Sequence, residues 1–271
     1  MYPTLLRFQN FEITTFGLMM FLAFIIGGWV LARQLGKHNV SDDIASSMVM
    51  AAAIGGIVGA KIYYAILFHD WHLLFDRSGL VWYGGFILGA LAVMFTLHRR
   101  HLLGWAMADV SALSVAIGYA IGRIGCFLVG DDYGRPTDLP WGMSFPVGLP
   151  PTTAGEMRRM FGIAVPASIP DDTMMRVHPT QIYETLTCLL IWAFGLWLFR
   201  RRLAEGRPAG AVVLTVFGLL AVERFLVEIL RAKDDRFFGG FTLAQMISVG
   251  VLAIIAIVTL VRRRQLAPRL A

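Results

Sequence analysis

Charged residues are scarce in this chain, and their scarcity excludes an ordinary soluble domain. Only 15% of its 271 residues are charged and 57% are hydrophobic, whereas soluble domains have roughly 25% charged residues. Cysteine is scarcer still, because Cys126 and Cys188 are the only two and both lie in apolar runs. No disulfide framework is therefore expected. With no second Cys or His at ligand spacing, neither is predicted to bind a metal.

The formal net charge of +6 raises the question of nucleic-acid binding. The Lys and Arg residues form short clusters between the apolar runs, a pattern typical of the charges that flank membrane helices. We therefore expect membrane lipids, and no nucleic acid, among the partners.

Seven apolar runs are long enough to cross a bilayer, which takes roughly 20 residues. They lie at about 15–33, 44–68, 81–98, 105–128, 179–199, 210–231 and 242–261. No internal repeat, low-complexity tract or soluble domain interrupts them. The sequence predicts an all-α integral membrane protein, a single domain over 1–271 that forms a bundle of about seven transmembrane helices.

Basic residues in short connections indicate the cytoplasmic side of a membrane protein. Here they fall in alternate connections, namely Arg33, Lys37, Arg99, Arg100, Arg200, Arg201, Arg202, Arg207, Arg262, Arg263 and Arg264. This pattern places the N-terminus outside and the C-terminus in the cytoplasm. The long connection at about 129–178 is then outside; its seven prolines exclude a continuous helix, and a loop of that length is usually functional.

Ionisable side chains inside a bilayer are costly, so each one is a candidate functional residue. In this topology they all lie in the outer half of the membrane: Lys61, Arg123, Glu184, Arg224, Glu228 and Arg231. Residues 224, 228 and 231 fall within about 60° of one another on a helix, while Glu223 points elsewhere and is interpreted as structural. Two interpretations remain open: an i,i+4 ion pair that assembles the bundle, or arginines that bind a phospholipid phosphate.

Three segments carry a more specific signal. They are GRIGCFLVGDDYG at 122–134, VHPTQIYE at 177–184 and ERFLVEILR at 223–231. Together and in this order they resemble the prolipoprotein diacylglyceryl transferases, whose signature reads much like GRxGNFxNGExxG, RHPSQLYE and FRxxVExxR. The resemblance covers nearly the whole chain, including FGLMM, GAKIYY, WYGG and TLAQ in other spans.

The resemblance implies an enzyme of lipoprotein biosynthesis in the bacterial inner membrane. Such an enzyme transfers the diacylglyceryl group of phosphatidylglycerol to the lipobox cysteine of a prolipoprotein, without a cofactor or metal. Arg123 and Arg224 match the family's catalytically important arginines, and His178 is a further catalytic candidate. The motif positions that match the family and are expected to bind substrate are Asp131, Gly134, Gln181, Tyr183, Glu184, Glu228 and Arg231. Lys61 is a further candidate for substrate binding. The long outer loop is the candidate contact for the peptide.

Three positions depart from the family pattern. Tyr83 replaces a histidine, Cys126 an asparagine and Phe16 a tyrosine. Tyr83 is a poor base but a usable hydrogen-bond donor, and either His178 or the field of the arginines is expected to assist the thiol. Cys126 is either a nucleophile carried by the protein itself or a small buried helix residue.

Two other functions stay open at this stage. Charged residues within spans also mark transport pathways, although the missing repeat and the clustering at one depth argue against a lipid or small-molecule transporter. The three departures also fit a lipid-binding relative without catalysis.

Overall fold

Eight α-helices account for most of the computed structural model, which describes residues 3–8, 11–75, 81–233 and 236–266. The helices are α1 Thr15–Leu35, α2 Asp42–Phe68, α3 Trp82–Arg99, α4 Trp105–Val129, α5 Ala154–Arg159, α6 Thr180–Ala204, α7 Ala211–Leu230 and α8 Leu243–Leu266. Seven of them coincide with the predicted apolar runs. Only the short α5 was not foreseen.

Length and composition suffice for membrane crossing in five helices of the described chain, α1, α2, α4, α6 and α8. The chain is a mostly helical, multi-pass membrane protein. Helix α3 has 18 residues, slightly fewer than the roughly 20 that a bilayer needs. Helix α7 carries Glu223, Arg224 and Glu228, which make it less apolar. Crossing by these two helices stays a prediction.

The chain divides into two compact units, residues 24–114 and residues 1–23 with 115–271. In the first unit, α2 and α3 pack with their backbones almost in contact. A Cβ atom on Gly59 would overlap the carbonyl of Gly84, and one on Gly85 would lie 2.9 Å from the carbonyl oxygen of Gly56. The two glycines that follow Tyr83 thus allow this close helix packing.

The connection from residue 130 to residue 179, here called the cap, belongs to the second unit. As its prolines predicted, it contains no long helix, only the six residues of α5. Its buried core consists of Tyr133, Phe145, Met157 and Val177, with Ala232 from beyond α7. A loop that has its own hydrophobic core and little regular secondary structure is compact, and loops of this type are frequently functional.

One arginine organises the far side of the cap. Arg158 donates to the carbonyl oxygens of Val165, Pro166 and Ile169 at 2.6–3.2 Å, and it pairs with Asp171. Backbone groups that have no strand or helix partner therefore obtain hydrogen bonds from a side chain.

Two small antiparallel hairpins are additions to the predicted all-α fold. Strand β1 (Thr4–Phe8) pairs with β2 (Phe11–Thr14), and β3 (Arg236–Phe238) pairs with β4 (Phe241–Thr242). Gly239 and Gly240 join β3 to β4 with φ values of 60° and 84°, which suits the mirror-image turns that close tight hairpins. Strands of two to five residues are too short to form the long apolar runs on which the all-α prediction was based.

Candidate active site

Three arginines and three carboxylates of the second unit form a closed ring of ion pairs. In order around the ring they are Arg123, Glu184, Arg224, Glu228, Arg231 and Asp132, which returns to Arg123. The members come from all three sequence segments identified above. The ring carries three positive and three negative charges, so the predicted cluster of arginines is electrically balanced by its own neighbours.

Arg123 lies near the end of α4 and has three side-chain partners. Its Nη1 donates to Asp132 Oδ2 at 2.9 Å and to Cys126 Sγ at 3.4 Å, while Nη2 pairs with Glu184. The side chain is buried. A planar guanidinium with divergent N–H groups can bridge two carboxylates in this way, whereas an ammonium group cannot.

Glu184 lies in the second turn of α6 and is completely buried, with 0% of its side chain exposed. Besides Arg123 it binds Arg224 Nη1 at 3.4 Å through Oε1, and the same oxygen accepts a hydrogen bond from Tyr119 at 3.2 Å. A buried carboxylate is tolerable only when it is paired and hydrogen-bonded. Glu184 meets this condition with three donors.

Helix α7 contributes the other half of the ring from one face. Arg224 Nη2 lies 2.7 Å from Glu228 Oε2, and Arg231 Nη1 lies 3.9 Å from the same oxygen. The i,i+4 and i,i+3 spacings predicted this contact. The ion pair exists, but it continues into α6 and the cap and is therefore more than a local helix contact.

Asp132 closes the ring and differs from the other two acids. Its Oδ2 accepts from Arg123 and its Oδ1 from Arg231, yet 40% of its side chain is exposed, against 0% for Glu228. Its backbone has a φ of 57°, a conformation that Asp tolerates better than most residues. Although burial raises the pKa of the Asp132 carboxyl, the guanidiniums of Arg231 and Arg123 hold it below its usual range.

The base of the cap is fastened to two helices by backbone hydrogen bonds. Gly134 N donates to His178 O at 2.8 Å, and Arg135 N donates to Leu230 O at 2.8 Å. A Cβ atom on Gly134 would lie 2.6 Å from His178 Cβ and 2.7 Å from the Leu230 carbonyl oxygen. Glycine is required here because the backbone passes between the start of α6 and the end of α7.

Three side chains form a hydrogen-bonded series at the start of α6. Trp141 Nε1 donates to Tyr183 Oη at 2.7 Å, and this hydroxyl lies 3.3 Å from His178 Nδ1. Burial lowers the pKa of His178. A neutral imidazole at pH 7 follows, and such a group can accept a proton. Gln181 is also engaged here, because its Nε2 donates to the Asp131 carbonyl oxygen at 2.5 Å.

Cys126, Asp131 and Asp132 offer ligand atoms within 4.8 Å of one another, although the sequence indicated no metal site at the cysteine. Charge decides how this cluster can be used. Arg123 and Arg231 already bind both oxygens of Asp132, so a divalent cation would meet two positive charges at close range. The arrangement suits an anion next to the arginines better than a metal ion.

Asp131 is predicted to destabilise the folded protein at neutral pH. Burial, and then the neighbouring Asp132 carboxylate, raise the pKa of Asp131 from 3.8 to about 6. The folded state therefore binds this proton more tightly than the unfolded state, so stability falls as the pH rises from about 4 to about 6. Asp131→Asn should raise the unfolding free energy at pH 8 by up to roughly 3 kcal/mol, and by about half of that at pH 5.

Thermal or denaturant unfolding in detergent, run at both pH values, checks this expectation. Asp138→Asn is the matched control, since Asp138 is exposed in the same cap. Equal stabilisation of Asp131→Asn at the two pH values would contradict the electrostatic cause.

The structure brings together most of the predicted site residues. The ring contains Arg123, Glu184, Arg224, Glu228 and Arg231. Asp131 precedes the ring member Asp132, Gln181 donates to Asp131, Gly134 pairs with Arg231, and His178 contacts Gly134 and Tyr183. Lys61 and Tyr83 belong to the unit 24–114. Phe16 contacts the signature helix, with its Cδ2 3.2 Å from the place of a Cβ on Gly125.

Two site residues were missed by the sequence reasoning. Tyr119 precedes Arg123 by one helical turn, a spacing that places both on one face. Asp132 directly follows Asp131 in sequence. Only Asp131 was considered, because it is the acid that matches the motif position. Glu223, interpreted as structural, is buried, and the side chain of Thr187 on α6 interacts with its carboxylate.

Comparison with known proteins decides the family. The family model described as prolipoprotein diacylglyceryl transferase matches residues 3–262. The chain belongs to this family. Proteins from Geobacter sulfurreducens and Clostridium tetani, each named phosphatidylglycerol–prolipoprotein diacylglyceryl transferase, are both 30% identical to it. The alignments cover 98% of this chain and 97% of the Geobacter protein, and 94% of this chain and 95% of the Clostridium protein.

The whole length of the chain thus corresponds to a prolipoprotein diacylglyceryl transferase. The relative from Nitrosomonas europaea with the same name is 30% identical, over 93% of this chain and 86% of its own length. The ring of charges, drawn from α4, α6, α7 and the cap, falls entirely within the matched region.

Proposed function

We propose that this protein transfers the diacylglyceryl group of phosphatidylglycerol to the lipobox cysteine of prolipoproteins. The relatives from Geobacter sulfurreducens and Clostridium tetani are named for this reaction. The observation that carries the proposal is the ring, in which Arg123 and Arg231 present N–H groups to the partly exposed position of Asp132. Guanidinium N–H groups that bind a carboxylate in this way also form charge-assisted hydrogen bonds with phosphate oxygens.

The proposed setting is the inner membrane of a bacterium, with all seven long helices crossing it and 1–271 acting as one domain. The alternating clusters of Lys and Arg support an outer N-terminus and a cytoplasmic C-terminus. In this orientation the cap is periplasmic, and the ring lies in the outer half of the bilayer. Phospholipid phosphates of the outer leaflet lie near that level.

The reaction joins the cysteine sulfur to the glycerol carbon that carries the phosphate. The thiolate attacks that carbon, a C–S bond forms, the C–O bond to phosphate breaks, and glycerol phosphate leaves with the electron pair. Positioned positive groups that face the developing negative charge are worth several kcal/mol in a dry site. Arg123 and Arg224, which share Glu184 as a partner, are assigned this role. Arg231, which pairs with Glu228, is assigned to phosphate binding beside Arg123.

Deprotonation of the thiol is the smaller requirement. A thiol of pKa about 8.5 costs about 2 kcal/mol to ionise at pH 7. His178, whose imidazole is neutral, is assigned as the proton acceptor, and Tyr83 as a hydrogen-bond donor in place of the family's histidine. Asp131, Gly134, Gln181, Tyr183 and Lys61 are assigned to substrate binding, and the cap to the lipobox peptide.

The purified full chain should transfer labelled diacylglyceryl from phosphatidylglycerol to a lipobox-cysteine peptide, and Tyr83→His should change the rate by less than about tenfold. The small effect is expected because His178 is assigned as the proton acceptor, and tyrosine and histidine can both donate the hydrogen bond assigned to position 83. Thioether formation is measured by mass spectrometry of the peptide. No turnover in either protein would contradict the proposal, and turnover only in Tyr83→His would instead indicate a lipid-binding relative that has lost catalysis.

A further inference from the structure

We propose that the Asp132 carboxylate pairs with Arg123 and Arg231 at the place where the phosphate of the substrate binds, and that the anionic lipid displaces it. This inference rests on the proposed function and assigns a specificity-determining role to Asp132. The ligand chemistry is a phosphate anion, and the proposed source is the headgroup of phosphatidylglycerol.

The first support is the way in which Asp132 binds. Its two oxygens reach two different arginines, Arg123 through Oδ2 and Arg231 through Oδ1. A phosphodiester also has two unesterified oxygens that share one negative charge, and it can accept from two guanidiniums in the same manner. The exchange of Asp132 for phosphate would therefore keep both arginines hydrogen-bonded and leave the charge of the ring unchanged.

The second support is the contrast among the three carboxylates. Glu184 and Glu228 extend from helices and have no exposed side-chain surface, so their removal would open the helix packing. Asp132 is 40% exposed and lies in the cap. It is the ring acid that an incoming headgroup can reach and that can turn toward water.

The third support is that the backbone at Asp132 is anchored independently of the ring. Thr180 Oγ1 donates to the Asp132 carbonyl oxygen at 2.8 Å, and Gln181 Nε2 donates to the carbonyl oxygen of Asp131. These bonds hold the loop in position while the carboxylate is released. Only side-chain rotation is needed for the exchange, which is a fast motion.

Removal of the competing carboxylate should strengthen anion binding. Asp132→Asn is expected to lower the Kd for phosphatidylglycerol about tenfold, because each arginine loses a charged hydrogen-bond partner that the lipid must otherwise displace. The Kd for phosphatidylcholine should fall less, since its headgroup is zwitterionic and the choline cation offsets the attraction of the phosphate to the freed arginines. Native mass spectrometry of the full chain in nanodiscs of phosphatidylglycerol and phosphatidylcholine, mixed in varied proportion, measures both constants.

Two further variants make the test decisive. Asp132→Gly suits the φ of 57°, since glycine adopts positive φ without strain, so it should fold and should show the same gain as Asp132→Asn. Asp172→Asn, which alters an exposed acid of the cap outside the ring, should leave both constants unchanged. A Kd for phosphatidylglycerol that is unchanged or higher in both Asp132 variants would overturn the proposal, since Asp132 would then merely position Arg123 and Arg231.

Inorganic phosphate, titrated in the same way, separates the two sources of the anion. Tighter binding of phosphate but not of phosphatidylglycerol in the Asp132 variants would support the exchange and contradict the lipid as its ligand. Transfer to the lipobox peptide is measured separately and reports only on the proposed function. A failure of turnover with intact exchange is therefore distinguishable from a failure of the exchange itself.

Discussion

Glu184→Gln is expected to abolish transfer and to lower the unfolding free energy by about 3–5 kcal/mol, the usual cost of removing one partner from a buried ion pair. Glu184 is fully buried and holds Arg123, Arg224 and Tyr119. Glutamine fills the same volume but has no charge, so two guanidiniums would remain near one another with too few counter-charges. Both the position of the arginines and the packing of α6 against α7 should suffer.

Thermal unfolding in detergent and the peptide transfer assay measure the two effects. Glu205→Gln is the matched control, because Glu205 pairs with Arg201 at 2.8 Å and Arg207 at 2.7 Å beyond the end of α6. Solvent-exposed pairs of this type contribute little, so the control should keep wild-type stability and turnover. If Glu184→Gln behaved like this control, the ring could not be the structural centre of the site.

Arg123→Lys should reduce the transfer rate by at least about 100-fold, as expected for the loss of a positioned donor at a developing oxyanion. The guanidinium reaches Glu184, Asp132 and Cys126 from one side chain. Lysine keeps the charge but has a single ammonium centre, which cannot span the two carboxylates and also face a phosphate. Loss of geometry rather than loss of charge is thus the expected cause.

Single-turnover transfer rates at saturating lipid test this expectation without the contribution of binding. Arg200→Lys, an exposed substitution of the same type on α6, should have no effect. A decrease of less than tenfold for Arg123→Lys would show that charge alone is sufficient, and would remove the assignment of Arg123 to phosphate stabilisation.

The helices could be predicted from sequence because membrane crossing demands long apolar runs, and the boundaries followed from the charges that flank them. The convergence of Arg123, Arg224 and Arg231 could also be predicted from their similar depth, whereas Lys61, predicted to join them, belongs to the unit 24–114. The position of Asp132, which closes the ring, could not be predicted. Asp132 belongs to no helix, and its own backbone is in the left-handed conformation. The cap core around Tyr133 and Phe145 was likewise invisible, since irregular segments have no period to detect.

The backbone hydrogen bonds at the base of the cap limit how the cap can move. Residues on both sides of Gly134 are hydrogen-bonded to the start of α6 and the end of α7, and Ala232 N also donates to Tyr133 O at 3.1 Å. A loop that is tied to two helices at one end cannot swing open there as a lid does. The root of the cap is therefore expected to keep its place against α6 and α7, and any movement of the cap is confined to the part farther from Gly134.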